Sequence, residues 1–308
     1  MVHDTKERGL IQRLIGKIRR PITYHRQLQL WALLFVLPSI TILVIFRLGP
    51  IIMSARLSLY DYNLLSRREI FVGLDNYTMG LSDRALWNAM KNTAVFVIAK
   101  VPLQAALALG LAMLVNRRWF GVGIVRSAPL MAVVMPMSIA AVLWQMMYHP
   151  SNGLINSIIR TFGHAPYGFL TDRHLAMPAI VITTLWKDVG FFMIFYLAGL
   201  QGIPSEYYDA AEVDGASPWA MFRYITLPLL RHTTTLVLIL STVFAFQVFI
   251  PVHVMTQGGP SGATDVIIYY MYKIAFSFMR MGYANAIAII TLVIVLAIAA
   301  FQLRAEPE

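Results

Sequence analysis

The sequence predicts an all-α integral membrane protein with six membrane-spanning helices, and three observations carry that prediction. Of its 308 residues, 58% are hydrophobic, against about 45–50% in an ordinary soluble domain. Only 13% are charged, roughly half the usual ~25%, and the mean hydropathy is +0.65. A soluble fold has no interior large enough for this excess, so the bilayer is its natural solvent. Third, the apolar residues gather in six stretches of the length needed to cross the hydrocarbon, about 20 helical residues each. They lie at 28–46, 86–115, 122–148, 175–200, 229–252 and 282–303.

The net charge of +10 does not read as a nucleic-acid surface. Much of it sits in residues 1–27, as Lys6, Arg8, Arg13, Lys17, Arg19, Arg20 and Arg26. Positive charge just before a first apolar run holds that segment in the cytoplasm. No small-residue cleavage site follows the run, so the segment is expected to be a retained tail. Ile11, Leu14, Ile15 and Ile18 share a helical face that suits the headgroup region; a disordered tail is the alternative. With 1–27 inside, both termini are cytoplasmic, including 305–308, and the loop bearing Arg117 and Arg118 obeys the positive-inside rule. Arg56, Arg67, Arg68 and Arg84 then fall outside, which the rule does not favour. Cysteine is absent, which excludes disulfides and thiolate metal sites.

The connections differ in kind. Segments 47–85 and 149–174 carry turn chemistry such as Ser151-Asn152-Gly153. Segment 201–228 instead reads as two short helices. The first opens at Ile203-Pro204-Ser205, includes Glu206 and stops at Gly215. Ser217 offers an N-cap oxygen and Pro218 the favoured first-turn residue of the second. Leu227-Pro228 closes it and launches the fifth span. A plain loop would join two spans with fewer residues, so a punctuated helical hairpin suggests a docking surface. Its small residues Ala210, Ala211, Gly215 and Ala216 allow close backbone approach, and Gly215 can take a positive φ. Trp219, Phe222 and Ile225 give the second helix an apolar face. Packing of the hairpin on its own bundle is the competing account.

The pattern Asp209-Ala210-Ala211, three residues, Gly215, nine residues, Ile225-Xaa-Leu227-Pro228 resembles the EAA loop of permease subunits in binding-protein-dependent bacterial ABC importers. Asp209 stands in place of the family's first glutamate, keeping the charge on a shorter stem. Further strings are similar to the oligosaccharide-type carbohydrate branch of that family. They are Leu197-Ala198-Gly199-Leu200-Gln201, Asp214-Gly215-Ala216-Ser217, Phe71-Val72-Gly73-Leu74-Asp75-Asn76-Tyr77, Gly258-Gly259-Pro260 with Thr264, and Gly282-Tyr283-Ala284-Asn285-Ala286.

The resemblance implies a permease domain over 28–304 with its core, spans two to six, at 86–303, and an ATPase-coupling loop at 201–228. It implies a second permease subunit, a pair of cytoplasmic ATPase subunits and an extracytoplasmic solute-binding protein, in a bacterial inner membrane. ATP with magnesium is then expected on the partner ATPase and no cofactor on this chain. The lack of a Gly-Xaa4-Gly-Lys-Ser/Thr phosphate loop agrees with that division. The resemblance assigns coupling to Glu206, Asp209, Ala210, Ala211, Gly215, Ala216, Trp219 and Phe222.

Polar side chains inside spans usually face a cavity or a neighbouring helix. Lys187, Asp188, Gln247 and Gln145, with the aromatic rings of Phe191 and Phe246, are candidates for a solute path. Lys100, Gln104, Asn92 and His253 lie in or near other spans. Structural ion contacts, snorkelling and interhelical hydrogen bonds account for the same residues equally well. No arginine falls at a midplane, which favours a neutral saccharide over a phosphate ester. A secondary transporter is the rival function, but no repeated halves are visible. An intramembrane enzyme is the other, but the seven histidines are scattered and have no metal-ligand spacing.

Overall fold

The computed structural model describes residues 24–66, 68–116 and 121–304, the side chains of 24–27 and 30 excepted. The tail face of Ile11 to Ile18, the pair Arg117 and Arg118, and residues 305–308 lie outside the described residues. The chain divides into two compact units, Met1–Ser54 and Ala55–Glu308.

The first unit holds α1 (Tyr24–Leu43), a π-helical turn (Val44–Leu48) and the start of α2 (Gly49–Leu57). Together they make a helical run long and apolar enough to cross a membrane, Trp31–Leu57, with none of its apolar window buried. The expected span at 28–46 therefore continues to Leu57, into the expected connecting segment 47–85. Its exposed Trp31, Phe35 and Phe46 suit a lipid or partner surface rather than water.

The second unit opens with a small antiparallel ribbon, β1 (Tyr60–Tyr62) and β2 (Glu69–Phe71), in the register Asp61 opposite Ile70. A short helix, α3 (Asp75–Ser82), leads to α4 (Arg84–Asn116), the longest element of the unit. There follow α5 (Val122–Val134), α6 (Met137–Met147), α7 (Leu154–Thr161) and α8 (Ala176–Gln201). The short helices α9 (Glu206–Val213) and α10 (Pro218–Met221) precede α11 (Arg231–Phe246). The unit closes with α12 (Ile267–Tyr272) and α13 (Met281–Arg304).

Helices α4, α8 and α13 are each long and apolar enough to span a bilayer, and their ends match the expected 86–115, 175–200 and 282–303 within two residues. Two further stretches are bent. Helices α5 and α6 meet at 106°, and Pro218–Leu229 meets α11 at 67°. Among the described residues the count is four continuous candidate spans, or up to six if each bent pair is one span.

The first bend corrects the reading of 122–148 as one uniform span. Pro136 has no N–H to continue the helix and pushes Met135 into the extended region, φ −66° and ψ 131°. The fifth span likewise ends at Phe246 rather than 252, followed by a separate π-helical turn, Val252–Thr256.

Helix α4 runs along α8 and α11, and α5 packs on α8. The α5–α8 approach is set by Gly190, where a Cβ would lie 2.4 Å from the carbonyl oxygen of Pro129. One apolar cluster joins these helices through Ala108, Ala112, Phe192, Tyr196 and Val237. A second, with Phe96, Ile180, Val252 and Val266, ties α4 and α8 to the turn after α11. Between the two clusters the helices carry the charged residues of the candidate site.

Candidate functional site

The hairpin at 201–228 is built by local chemistry. Helix α8 stops at Gly202, and Pro204 prevents its continuation. Helix α9 ends where Gly215 turns to φ +76°, closed by the Gly215 N–H donating to Glu212 O at 3.0 Å and the Ala216 N–H to Ala211 O at 2.9 Å. The Ser217 hydroxyl oxygen then accepts the Ala220 N–H at 3.2 Å, capping α10 with Pro218 at its first turn. Beyond α10 the chain loosens into a wider, π-helical turn, Phe222–Thr226. The hydroxyls of Tyr208 and Thr226 share a hydrogen bond of 3.0 Å, tying α9 to that turn.

The hairpin presents its motif residues outward. Glu206, Asp209, Ala210, Gly215 and Trp219 are exposed, and Ala211, Ala216 and Phe222 are half-buried. Trp219 leaves 70% of its surface open, Tyr224 78% and Val213 89%. A Cβ added at Gly215 would meet nothing within 4 Å. Packing on the chain's own bundle covers part of Ala211, Ala216, Phe222 and Ile225 and leaves Asp209, Ala210, Gly215 and Trp219 open.

The second region is a cavity of about 460 Å³ where α4, the α5–α6 bend, α8 and the end of α11 converge. Lys100 from α4 and Lys187 and Asp188 from α8 meet in its wall, with Thr184, Phe244, Gln247 and Phe249. Lys100 Nζ donates to Asp188 Oδ2 at 2.6 Å, and its side chain is 3% exposed. Lys187 Nζ stands 4.0 Å from Asp188 Oδ1 and donates to Val133 O at 3.1 Å. That carbonyl belongs to the last turn of α5, where the Pro136 break leaves acceptors without intrahelical donors. Both ammonium groups thus have partners, and Gln247 is exposed toward the cavity.

The structure separates the remaining sequence candidates. Gln145 lines a different cavity, of about 470 Å³, beside Gly259 and Pro260. Phe246 is 8% exposed and packs inward. Phe191 belongs to a ring cluster with Phe192, Phe195 and Phe244, its centroid 5.3, 5.2 and 5.8 Å from theirs. Neither phenylalanine lines the cavity of Lys187 and Asp188. Thr184 and Met137 do line it and were not anticipated. Thr184 lies one turn before Asp188, on the same helical face, which is the signal that would have found it. Among the described residues no cluster of three or more His, Asp or Glu is arranged to hold a metal ion.

An exposed helical hairpin, attached to spanning helices that enclose a charged, amide-bearing cavity, is an arrangement that fits a membrane permease. The chain belongs to the family described as binding-protein-dependent transport system inner membrane component, which matches residues 106–308. It is a transport subunit rather than an enzyme. It is 37% identical to the trehalose/maltose transport system permease protein MalF of Thermococcus litoralis, over 88% of this chain and 92% of that one. It is 34% identical to the sn-glycerol-3-phosphate transport system permease protein UgpA of Agrobacterium fabrum, with the same coverage of 88% and 92%. Among solved structures it is similar to a chain of a bacterial ABC transporter involved in the import of the acidic polysaccharide alginate. There the TM-score is 0.79 and the identity 25%, over 96% of this chain and 98% of that one. A second structure of a bacterial alginate ABC transporter, in complex with a pentasaccharide-bound periplasmic protein, matches with a TM-score of 0.78. The resemblance drawn from the motif at 209–228 is thereby established as family membership.

Proposed function

We propose that this chain forms half of the pathway of an ATP-driven importer for a neutral saccharide or polyol, delivered by a solute-binding protein. The other half is a second permease subunit, and a pair of ATPase subunits supplies the energy. Hairpin 201–228 is the contact with one ATPase, which binds ATP and magnesium. Closure of the ATPase pair moves the hairpins and opens the cavity toward the binding protein. Both termini then lie on the cytoplasmic side.

The observation that carries the coupling role is the exposure of Asp209, Gly215 and Trp219 on a hairpin closed by its own hydrogen bonds. For the solute, the relevant fact is that both cavity lysines already have partners. Lys100 is held by Asp188 and Lys187 by a helix-end carbonyl. A phosphate ester would have to share ammonium groups already engaged by Asp188 and by the Val133 carbonyl. Gln247, Thr184 and the rings of Phe244 and Phe249 suit hydroxyl groups and apolar sugar faces. The named substrates of relatives include neutral sugars, as in trehalose/maltose and lactose transport, and one phosphate ester.

The test is ATP hydrolysis by detergent-purified complex from cells expressing the tagged chain with its neighbouring genes. Co-purifying activity, stimulated by a binding protein loaded with a neutral di- or oligosaccharide, is expected. Uptake of a solute by liposomes containing this chain alone, with no ATPase co-purifying, would overturn the proposal.

A further inference from the structure

A groove of about 550 Å³ runs between α4 and α8, away from the cavity of Lys187 and Asp188. Its two ends are unlike. Lys91, Arg173 and His174 stand at one end, all exposed. Val95, Ala99 and Leu103 line it along α4, and Val181 and Ile182 along α8. Val95, Leu103 and Ile182 leave 49%, 46% and 49% of their surface uncovered.

The basic end lacks counter-charge. No carboxylate lines the groove. Among the described residues neither Lys91 nor Arg173 has an acidic partner. Asp172, the neighbour of Arg173, spends Oδ1 on the backbone N–H groups of His174 and Leu175, at 2.7 and 3.1 Å. Asn88 and Asn92 turn their amide nitrogens to the carbonyl of Gly262, at 2.9 and 2.8 Å, so they brace the groove's edge.

Geometry sets the scale of an occupant. From Lys91 to Leu103 the helix rises about 18 Å, close to the ~15 Å of one hydrocarbon leaflet. A ligand with an anionic head and a long apolar tail matches both ends at once. A span of a partner protein would cover the apolar wall and leave the cations unexplained. A soluble partner would meet the cations and leave the wall bare.

We propose that this groove is a binding site for an acidic phospholipid, its phosphate at Lys91, Arg173 and His174 and one acyl chain along Val95, Ala99 and Leu103. In the topology proposed above this is the outer leaflet. Basic residues at that end, disfavoured by the positive-inside rule, are then stabilised by lipid charge. The site depends only on the spanning helices and not on which solute is carried.

Because the chain has no cysteine, Leu103→Cys gives it a single attachment point for a fluorophore at the deep end of the groove. The assembled complex would be placed in nanodiscs containing increasing fractions of phosphatidylglycerol or phosphatidylcholine with brominated acyl chains. Unsubstituted complex treated in the same way supplies the background. Quenching by phosphatidylglycerol is expected at about a tenfold lower mole fraction than by phosphatidylcholine, with that advantage lost in Lys91→Gln/Arg173→Gln. Equal quenching by both lipids would mean ordinary boundary lipid and would overturn the site. No quenching by either would mean that protein covers the groove, which also overturns it. Displacement by free glycerol phosphate as effective as by the lipid would reduce the site to an anion contact, against the proposal. A label at Val95→Cys repeats the measurement should the deeper substitution disturb packing.

Discussion

Lys100 Nζ and Asp188 Oδ2 are 2.6 Å apart although 88 positions separate them in sequence, and the bond pins the middle of α4 to α8. Lys187, next to Asp188, donates to the Val133 carbonyl in the last turn of α5. One aspartate and two lysines therefore tie three helices at the level where α5 and α6 bend by 106°. Charges inside a membrane need such mutual satisfaction.

Removing one member should cost far more than removing both. Asp188→Asn leaves a buried Lys100 ammonium without its counter-ion, a loss of about 3–5 kcal/mol in comparable buried pairs. Lys100→Met/Asp188→Leu replaces the pair with apolar volume and is expected to recover most of that. Heat-induced dissociation of the purified complex measures both variants. A double variant less stable than Asp188→Asn would show that the charges contribute more than mutual neutralisation.

The hairpin motif is tested at Gly215. Its φ of +76° strains any L side chain, asparagine less than most, and the space beside it is empty within this chain. Gly215→Asn should therefore keep both the fold and the ATPase. Gly215→Glu adds a charged side chain at the proposed interface, where an unmatched charge costs several kcal/mol. Co-purifying ATPase activity should fall about tenfold or more, while the chain stays in the membrane. Full activity of Gly215→Glu would remove the coupling role from this face.

The parts legible in sequence were those governed by local rules. The ends of α4, α8 and α13 follow from unbroken hydropathy, and the hairpin follows from Pro204, Gly215, Ser217 and Pro218. The bend at Pro136 was hidden because apolar residues continue on both sides, so average hydropathy does not change where the backbone does. The cavity was half legible: Lys187, Asp188 and Gln247 stand out as polar residues in apolar runs. Their convergence with Lys100 depends on how α4 lies against α8, which no local pattern encodes. Phe191 and Phe246 look the same in sequence as cavity rings but face packed neighbours. The ribbon of β1 and β2 is too short, at three residues a strand, to leave an alternating signature.

Asp83, just before α4, gives a pH dependence outside the spans. Its carboxylate accepts the hydroxyls of Tyr270 and Tyr283, each at 2.6 Å, and the N–H groups of Ala85 and Leu86. Burial alone would raise its pKa, but these four bonds outweigh it and hold the group below its ordinary value of 3.8. A depressed folded-state pKa contributes stability that is fully present above the unfolded value. That stability declines as pH falls through the ordinary range and is gone below the folded value. Wild type should exceed Asp83→Asn in heat stability at neutral pH, with the gap closing below about pH 4. A gap that stays constant to lower pH would mean that the charge of Asp83 is not what the tyrosines hold.

Gln104 lies one helical turn beyond Lys100 and is fully buried, yet neither its amide nitrogen nor its oxygen has a partner among the described residues. The hydroxyl of Ser241 on α11 is in the same position. A buried polar group left unsatisfied costs about 1–3 kcal/mol, and no bulk water reaches the hydrocarbon region to repay it. Gln104→Leu, close in volume, removes that cost and should raise the heat stability of the complex by a similar amount. Transport by the same variant shows what the amide is for. If uptake falls while stability rises, Gln104 finds its partner in another conformation of the cycle, and the orphaned amide is a device for leaving this one. A variant less stable than wild type would mean that the amide is already bonded within the assembled transporter, through a group contributed by another subunit.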